Sequence, residues 1–121
     1  MAKVKLIDMV IEEIPKEEMI LKEGVVRTIT IVSGKRRSFV YKYALTDRGV
    51  WMRSNGFLWI KGKTSSIAYS DIECFKPAKL FAADSVMFFL KSGKRLRTHI
   101  VFDDMPGAIE ILSRYIRYEQ K

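Results

Sequence analysis

The spacing of apolar residues divides the chain into a helical start, a long β-rich middle and a helical end. In the first segment apolar side chains recur at helical intervals, at Val4, Ile7, Val10, Ile11 and Ile14. Because Pro15 ends this pattern, it predicts a short amphipathic helix. From residue 25 the period changes, and residues 25–32 are predicted to form a strand because β-branched residues dominate them.

Turn residues divide the middle of the chain into hairpins. Residues 33–37, Ser-Gly-Lys-Arg-Arg, separate the first strand from an alternating aromatic segment at residues 39–43. This pattern predicts a hairpin with a basic tip. Ser-Asn-Gly at residues 54–56 predicts a second tight turn, between strands at residues 50–53 and 57–60.

Further extended segments follow, at residues 64–69, 72–80, 85–91 and 95–102. Pro77 confines its own strand to a sheet edge or a bulge, because proline has no N–H to donate to a neighbouring strand. Gly93 lies between the last two segments in a three-residue connection that predicts another hairpin.

The end of the chain returns to helical spacing. Asp103 or Asp104 is suited to cap a helix, with Pro106 in its first turn. One apolar stripe follows, made of Met105, Ala108, Ile109, Leu112, Tyr115 and Ile116. Six or seven short antiparallel strands closed by a helix predict a mainly β barrel or sandwich, with the helix over one open end.

Composition adds a direction to this picture. The 121 residues are 48% hydrophobic and 30% charged, which is typical of one globular domain. The net charge of +8 is concentrated in the middle: residues 25–102 hold 15 basic and 4 acidic side chains, a net +11. The two ends are mildly acidic. A basic middle favours an anionic partner.

Several protein classes are excluded by the sequence. Charged residues interrupt the apolar start, and the longest apolar runs fall far short of the roughly 20 residues of a membrane helix. Cys74 is the only cysteine and His99 the only histidine, so we expect neither an internal disulfide nor a structural zinc site. We therefore expect a cytoplasmic protein without a metal or cofactor.

No group of residues predicts catalysis. A pair formed by Cys74 and His99 would join a nucleophile to a base, but a cysteine buried in a strand is usually inert. Asp103 and Asp104 are accounted for by the start of a helix. The GxxxxGK[ST] phosphate loop is absent. We predict that the protein is not an enzyme.

Two motifs and the closing helix carry a family resemblance. Residues 43–50, Tyr-Ala-Leu-Thr-Asp-Arg-Gly-Val, and residues 67–72, Ile-Ala-Tyr-Ser-Asp-Ile, resemble the Tyr-x-Leu-Thr-Asp-Arg stretch and the Ile-x-Tyr-x-x-Ile strand of bacterial-type pleckstrin-homology-like domains, also close to the GRAM-like branch. The resemblance covers roughly residues 18–118. It implies a bent antiparallel barrel of about seven strands, capped by a C-terminal amphipathic helix and used as a binding module. The domain would occupy residues 18–121, after an N-terminal helical segment at residues 1–17.

Two basic clusters are the candidate binding sites. The first contains Lys35, Arg36, Arg37, Lys42, Lys61 and Lys63. The second, around the last predicted hairpin, contains Lys91, Lys94, Arg95 and Arg97. Lipid-binding members of the resembled family keep basic residues at the first hairpin tip, which implies phosphate contacts for the first cluster. We expect a module that docks on a protein partner or weakly on anionic membrane lipid, at the inner face of the membrane.

Aromatic residues near the basic clusters support an alternative. Stacking combined with positive charge holds single-stranded nucleic acids, so a nucleic-acid-binding β-barrel is the second hypothesis, although an RNP-type signature is missing. Trp51 and Trp59 flank the second predicted turn and form either an exposed pair or part of the core. Self-association through strand edges or the N-terminal helix is also expected.

Overall fold

One sheet, made of two antiparallel meanders, forms most of the structure. The computed structural model describes residues 10–54, 62–80, 83–93 and 98–119. The strands within them are β1 (Ile20–Val32), β2 (Lys35–Thr46), β3 (Gly49–Arg53), β4 (Thr64–Ala68), β5 (Ile72–Leu80), β6 (Ala83–Leu90), β7 (Thr98–Phe102) and β8 (Arg117–Tyr118). A 3-10 helix (Tyr69–Asp71) precedes β5, and the helix α1 (Met105–Ser113) follows β7. The strand order is β4-β3-β2-β1-β7-β6-β5-β8, an open sheet. The prediction of a mainly β fold with a C-terminal helix is confirmed.

The first hairpin forms as predicted, but its turn is shorter. Ser33 has φ 52° and Gly34 has φ 76°, as in a two-residue type I′ turn, whose twist matches that of the flanking strands. Val32 pairs with Lys35 directly across this turn. The prediction that the basic run at residues 35–37 belongs to the turn is therefore wrong, because those residues begin β2.

Strand β3 has a different partner from the one that the sequence predicts. It pairs with β2 along one edge and with β4 along the other, so that Arg53 lies opposite both Lys42 and Thr64. A strand has only two edges. The edge of β3 that the sequence assigns to a return strand at residues 57–60 is therefore occupied by β4. Residues 55–61 themselves lie outside the described residues.

Strands β5, β6 and β7 form the second meander in the predicted order. β5 pairs with β6 along its length but with the short β8 only at Cys74 and Phe75. Pro77 lies beyond β8, where the outer edge of β5 has no partner strand among the described residues. Its predicted edge position is therefore confirmed. Gly93, with φ 83°, lies in the connection after β6, as the sequence predicts.

Helix α1 begins and packs as predicted. The Asp104 side chain caps it by accepting a hydrogen bond from the Gly107 N–H at 3.2 Å, and Pro106 lies in the first turn. Ala108 and Leu112 are fully buried. They pack against a core whose largest members include Tyr43, Leu45, Phe75 and Phe88. The apolar stripe of the helix therefore covers the core of the sheet.

The segment before β1 is held against the sheet. Residues 1–9 lie outside the described residues, and with them most of the predicted N-terminal helix; residues 10–19 contain turns and no helical stretch. The carboxylate of Glu18 accepts hydrogen bonds from the Thr46 hydroxyl at 2.7 Å and from the Trp51 indole N–H at 3.1 Å. These two bonds fix the segment to β2 and β3.

Candidate functional site

Within the described residues, the distal half of the first hairpin extends beyond the strands beside it. There, β7 pairs with β1 along residues 26–30, and β3 pairs with β2 along residues 42–45. β1 and β2 continue to pair with each other as far as Val32 and Lys35. We call residues 31–40 the arm. Among the described residues it is a two-stranded ribbon, a structure that is only marginally stable in water by itself.

The arm carries basic and apolar side chains together. Lys35, Arg36 and Arg37 are exposed. Ile31, Phe39 and Val40 are 46%, 53% and 43% exposed, so the arm presents large apolar side chains to solvent. Exposed apolar groups beside cations are typical of a surface that meets a partner with both chemistries.

Strand alternation sorts these side chains onto two faces. Lys35, Arg37, Phe39 and Tyr41 lie at alternate positions of β2 and therefore share one face. The rings of Phe39 and Tyr41 are 6.5 Å apart. The other face has Arg36 directly opposite Ile31 in the register. The face with two cations and two aromatic rings is the stronger candidate interface.

The base of the arm is fixed by Asp103, in the connection between β7 and α1. Its carboxylate accepts the Val25 N–H and the Tyr43 hydroxyl, each at 3.0 Å, and its own N–H donates to the Val25 carbonyl at 3.0 Å. Burial, followed by the hydrogen bond to Asp103, raises the pKa of Tyr43 well above its usual value. The hydroxyl therefore stays protonated and keeps donating, which fixes β1 and β2 to the connection after β7 at positions outside the arm.

The other members of the first basic cluster lie elsewhere. Lys42 is only 4% exposed, and its ammonium lies 3.9 Å from the Glu23 carboxylate. It is therefore not part of the exposed patch that the sequence predicts, because β2 is covered at this position by its neighbours. Lys63 is exposed in the connection before β4, where its N–H donates to the Ser54 hydroxyl at 2.9 Å. Lys61 lies outside the described residues.

The second basic cluster is represented by Lys91. It is exposed directly after β6, and its N–H donates to the Asp71 carbonyl at 3.0 Å. Lys94, Arg95 and Arg97 lie outside the described residues. The 3-10 helix that contains Asp71 adjoins Arg48, two residues past the end of β2, whereas the arm contains the start of β2. Lys91 and the arm therefore lie at opposite ends of β2.

Cys74 and His99 do not form a pair. Cys74 is buried in β5, and β6 separates that strand from β7, which contains His99. The Nδ1 atom of His99 lies 3.0 Å from the hydroxyl of Ser85, which also donates to the Ala78 carbonyl at 3.1 Å. These bonds join neighbouring strands of the second meander.

Sequence reasoning missed the exposure of Ile31, Phe39 and Val40. Alternating aromatic residues predict one buried face, and nothing in the pattern states where the neighbouring strands end. The exposure follows from the lengths of the folded strands, since β1 and β2 have 13 and 12 residues while β3 has five, and the sequence pattern does not give these lengths. Trp51 is half-buried against Glu18, and Trp59 lies outside the described residues.

No known protein family model matches this chain, and no curated protein matches it. In the described ranges, no helix has the length and apolar character needed to cross a bilayer. The geometry and charge of the arm are therefore the basis for assigning it as an interface.

Proposed function

We propose that this protein is a non-enzymatic binding module of the pleckstrin-homology-like type, which docks on anionic phospholipid through the arm. The observation that carries the proposal is the arm face with Lys35, Arg37, Phe39 and Tyr41, held beyond the rest of the sheet. The protein would be cytoplasmic and peripheral to the inner face of the membrane.

The strand arrangement supports the assignment to this type. Seven antiparallel strands, four in one meander and three in the next, precede a helix that packs on the sheet core. About seven antiparallel strands followed by a helix are what the resemblance of residues 43–50 and 67–72 implies, although the sheet is open where the resemblance implies a barrel. The two-residue β8 is an addition to the expected set.

The two chemistries of the arm suit a membrane surface better than either would alone. A basic side chain near an anionic leaflet contributes about 1 kcal/mol of attraction. Lys35 and Arg37 lie on the docking face, and Arg36 lies on the other face of the same two-stranded ribbon, within a Debye length of the surface. Together they would contribute about 3 kcal/mol, which corresponds to roughly 100-fold in partitioning. Phe39 and Tyr41 would then insert rings at the level of the headgroups. The attraction of the basic side chains to the membrane weakens as the salt concentration rises, whereas the contribution of the aromatic rings persists.

Vesicle co-sedimentation tests the proposal. The triple variant Lys35→Ala, Arg36→Ala, Arg37→Ala should lose roughly 100-fold in partitioning onto phosphatidylserine-containing vesicles. A matched control removes three other exposed cations, with the changes Lys16→Ala, Lys79→Ala and Arg114→Ala. The control should keep most of its binding, and neither variant should melt far from the parent protein, because exposed substitutions change stability by only about 0.5 kcal/mol.

Four results would contradict the proposal. Equal losses in both triple variants would mean that net charge acts without a defined site. Unchanged binding of Phe39→Ser at high salt would remove the role of the aromatic face. Tight oligonucleotide binding without vesicle binding would favour the single-stranded nucleic-acid module, and capture of a protein by the arm without vesicle binding would favour a protein partner.

A further inference from the structure

A polar groove lies at the end of β2 that is opposite to the arm. Its volume is about 670 Å³, and its walls include Arg48, Tyr69, Ser70, Lys91, Tyr115 and Arg117. The strand β2 has 12 residues, which corresponds to about 36 Å of extended chain. The groove and the tip of the arm are thus separated by the length of this strand.

Backbone hydrogen bonds place two cations at the two ends of the 3-10 helix. The Arg48 carbonyl accepts the Tyr69 N–H at 2.9 Å, and the Lys91 N–H donates to the Asp71 carbonyl at 3.0 Å. Ser70 lies between Tyr69 and Asp71 in the 3-10 helix and is exposed. Main-chain hydrogen bonds therefore fix the order of Arg48, Ser70 and Lys91 around the groove. This order does not depend on contacts between flexible surface side chains.

The charged groups of the groove differ in their pairing. Arg117 is paired with Glu73 and Glu119. The Asp47 carboxylate accepts the Met19 N–H at 2.9 Å.

The side chains of Arg48 and Lys91, by contrast, form no ion pair or hydrogen bond with any residue that the structure describes. The residues around Arg48 have structural tasks: Thr46 accepts the N–H groups of the turn, and Gly49 lies against β4. The guanidinium of Arg48 has no such structural task among the described residues.

An aromatic wall supports this arrangement. The rings of Tyr69 and Tyr115 stack at 4.7 Å with 12° between their planes, and the Tyr69 hydroxyl donates to the Thr46 carbonyl at 2.7 Å. Burial raises the pKa of Tyr69 far above its usual value, so this hydroxyl remains a donor. The wall is therefore held by a ring stack and by a buried hydrogen bond to β2.

We propose that this groove binds a soluble phosphate monoester. Arg48 offers a planar fork for two phosphate oxygens, Lys91 a point charge and Ser70 a hydroxyl donor, which is a common combination at phosphate sites. The ligand is a soluble one because a protein docked on a membrane by its arm would hold the groove away from the lipid surface. No residue of the arm lines the groove, so the phosphate site is independent of the proposed function, whereas the assignment to a soluble ligand rests on it.

Titration with inorganic phosphate and with glycerol 3-phosphate tests the site. In a ¹H–¹⁵N spectrum the backbone amide signals of Arg48, Ser70 and Lys91 should shift, and these shifts should saturate as ligand is added. The variants Arg48→Gln and Lys91→Gln should each weaken binding by about tenfold, because each removes a hydrogen bond to a charged group. Lys79→Gln removes the same charge from an exposed site on β5 and should leave the affinity within about twofold.

Four outcomes would overturn the inference. They are shifts that do not saturate, shifts centred on the arm, an equal loss in Lys79→Gln, and unchanged affinity in both groove variants. The lipid source is tested separately with phosphatidic acid vesicles, where Arg48→Gln and Lys91→Gln should bind as the parent protein does. A loss confined to the groove variants would make the ligand a lipid headgroup and refute the soluble assignment. Failure of the arm variants to lose vesicle binding would refute the proposed function and the argument for a soluble ligand, whereas the phosphate site itself is tested by the titration.

Discussion

The hydroxyl of Thr46 is the most fully used polar atom at the turn that leads to Arg48. It accepts the N–H groups of Arg48 and Gly49, both at 3.1 Å, and donates to the Glu18 carboxylate at 2.7 Å. A hydroxyl has one proton and two lone pairs, so all of its capacity is engaged. Thr46 is fully buried. The substitution Thr46→Val keeps the shape and removes every one of these bonds.

The expected cost follows from these bonds. Each buried N–H group left without a partner costs about 1.5 kcal/mol, or about 3 kcal/mol for two. Burying a methyl group in place of the hydroxyl returns about 0.8 kcal/mol. The free energy of unfolding of Thr46→Val should therefore fall by about 2 kcal/mol, with a decrease of about 8 °C in Tm for a domain of this size.

Urea unfolding followed by tryptophan fluorescence measures this change. Thr28→Val is the matched control, because Thr28 is half-buried and its hydroxyl has no hydrogen bond to a described residue; it should change stability by less than about 0.5 kcal/mol. Thr46→Ser keeps the hydroxyl and should lose only about 1 kcal/mol, from the missing methyl group. If Thr46→Val proved as stable as Thr28→Val, the reasoning from unsatisfied donors would be refuted.

Three further predictions concern close packing, acid stability and thiol access. In Gly49→Ala the new Cβ would lie 2.5 Å from the Ile67 carbonyl oxygen. The free energy of unfolding should therefore fall by at least about 2 kcal/mol, and an unchanged urea midpoint would contradict this. The Lys22 ammonium holds the pKa of Asp104 below its usual value, so the native state binds fewer protons and stability falls as pH drops below about 4. Lys22→Gln should therefore lose less stability between about pH 5 and pH 3 than the parent protein, and an equal loss would contradict the pairing. Cys74 is 4% exposed and should react with a thiol reagent only after unfolding, whereas rapid reaction of the native protein would disprove its burial.

The helix at the end of the chain shows what local chemistry determines by itself. Asp104 and Pro106 specify its start without reference to the rest of the chain, and the apolar stripe specifies its buried face as far as Leu112. The helix ends at Ser113, before the last two stripe residues, Tyr115 and Ile116. The turn at Ser33-Gly34 and the connection at Gly93 are local in the same sense, because positive φ angles select their residues. These elements were predictable because their causes lie within a few residues.

The pairing of β3 was not predictable in this way. Asn55-Gly56 is a strong local turn signal, but the partner of a strand is decided by which edge packs best against the core. Residues 64–68 pair with β3 on the edge that the sequence assigned to residues 57–60. A strong turn signal therefore did not determine which strand follows it in the sheet.

The two candidate sites divide along the same line. Sequence composition alone identified Lys35, Arg36 and Arg37 as a basic run, and the alternation of residues determined which of them share a face of β2. Only the tertiary structure decided that Lys42 is buried while Phe39 is exposed, since both depend on where neighbouring strands begin and end. The groove could be predicted from the sequence even less than the arm, because Arg48 and Lys91 are distant in the chain. They are brought to one groove by their main-chain hydrogen bonds to the 3-10 helix. Local preferences act over a few residues, whereas a site is assembled by packing across the whole chain.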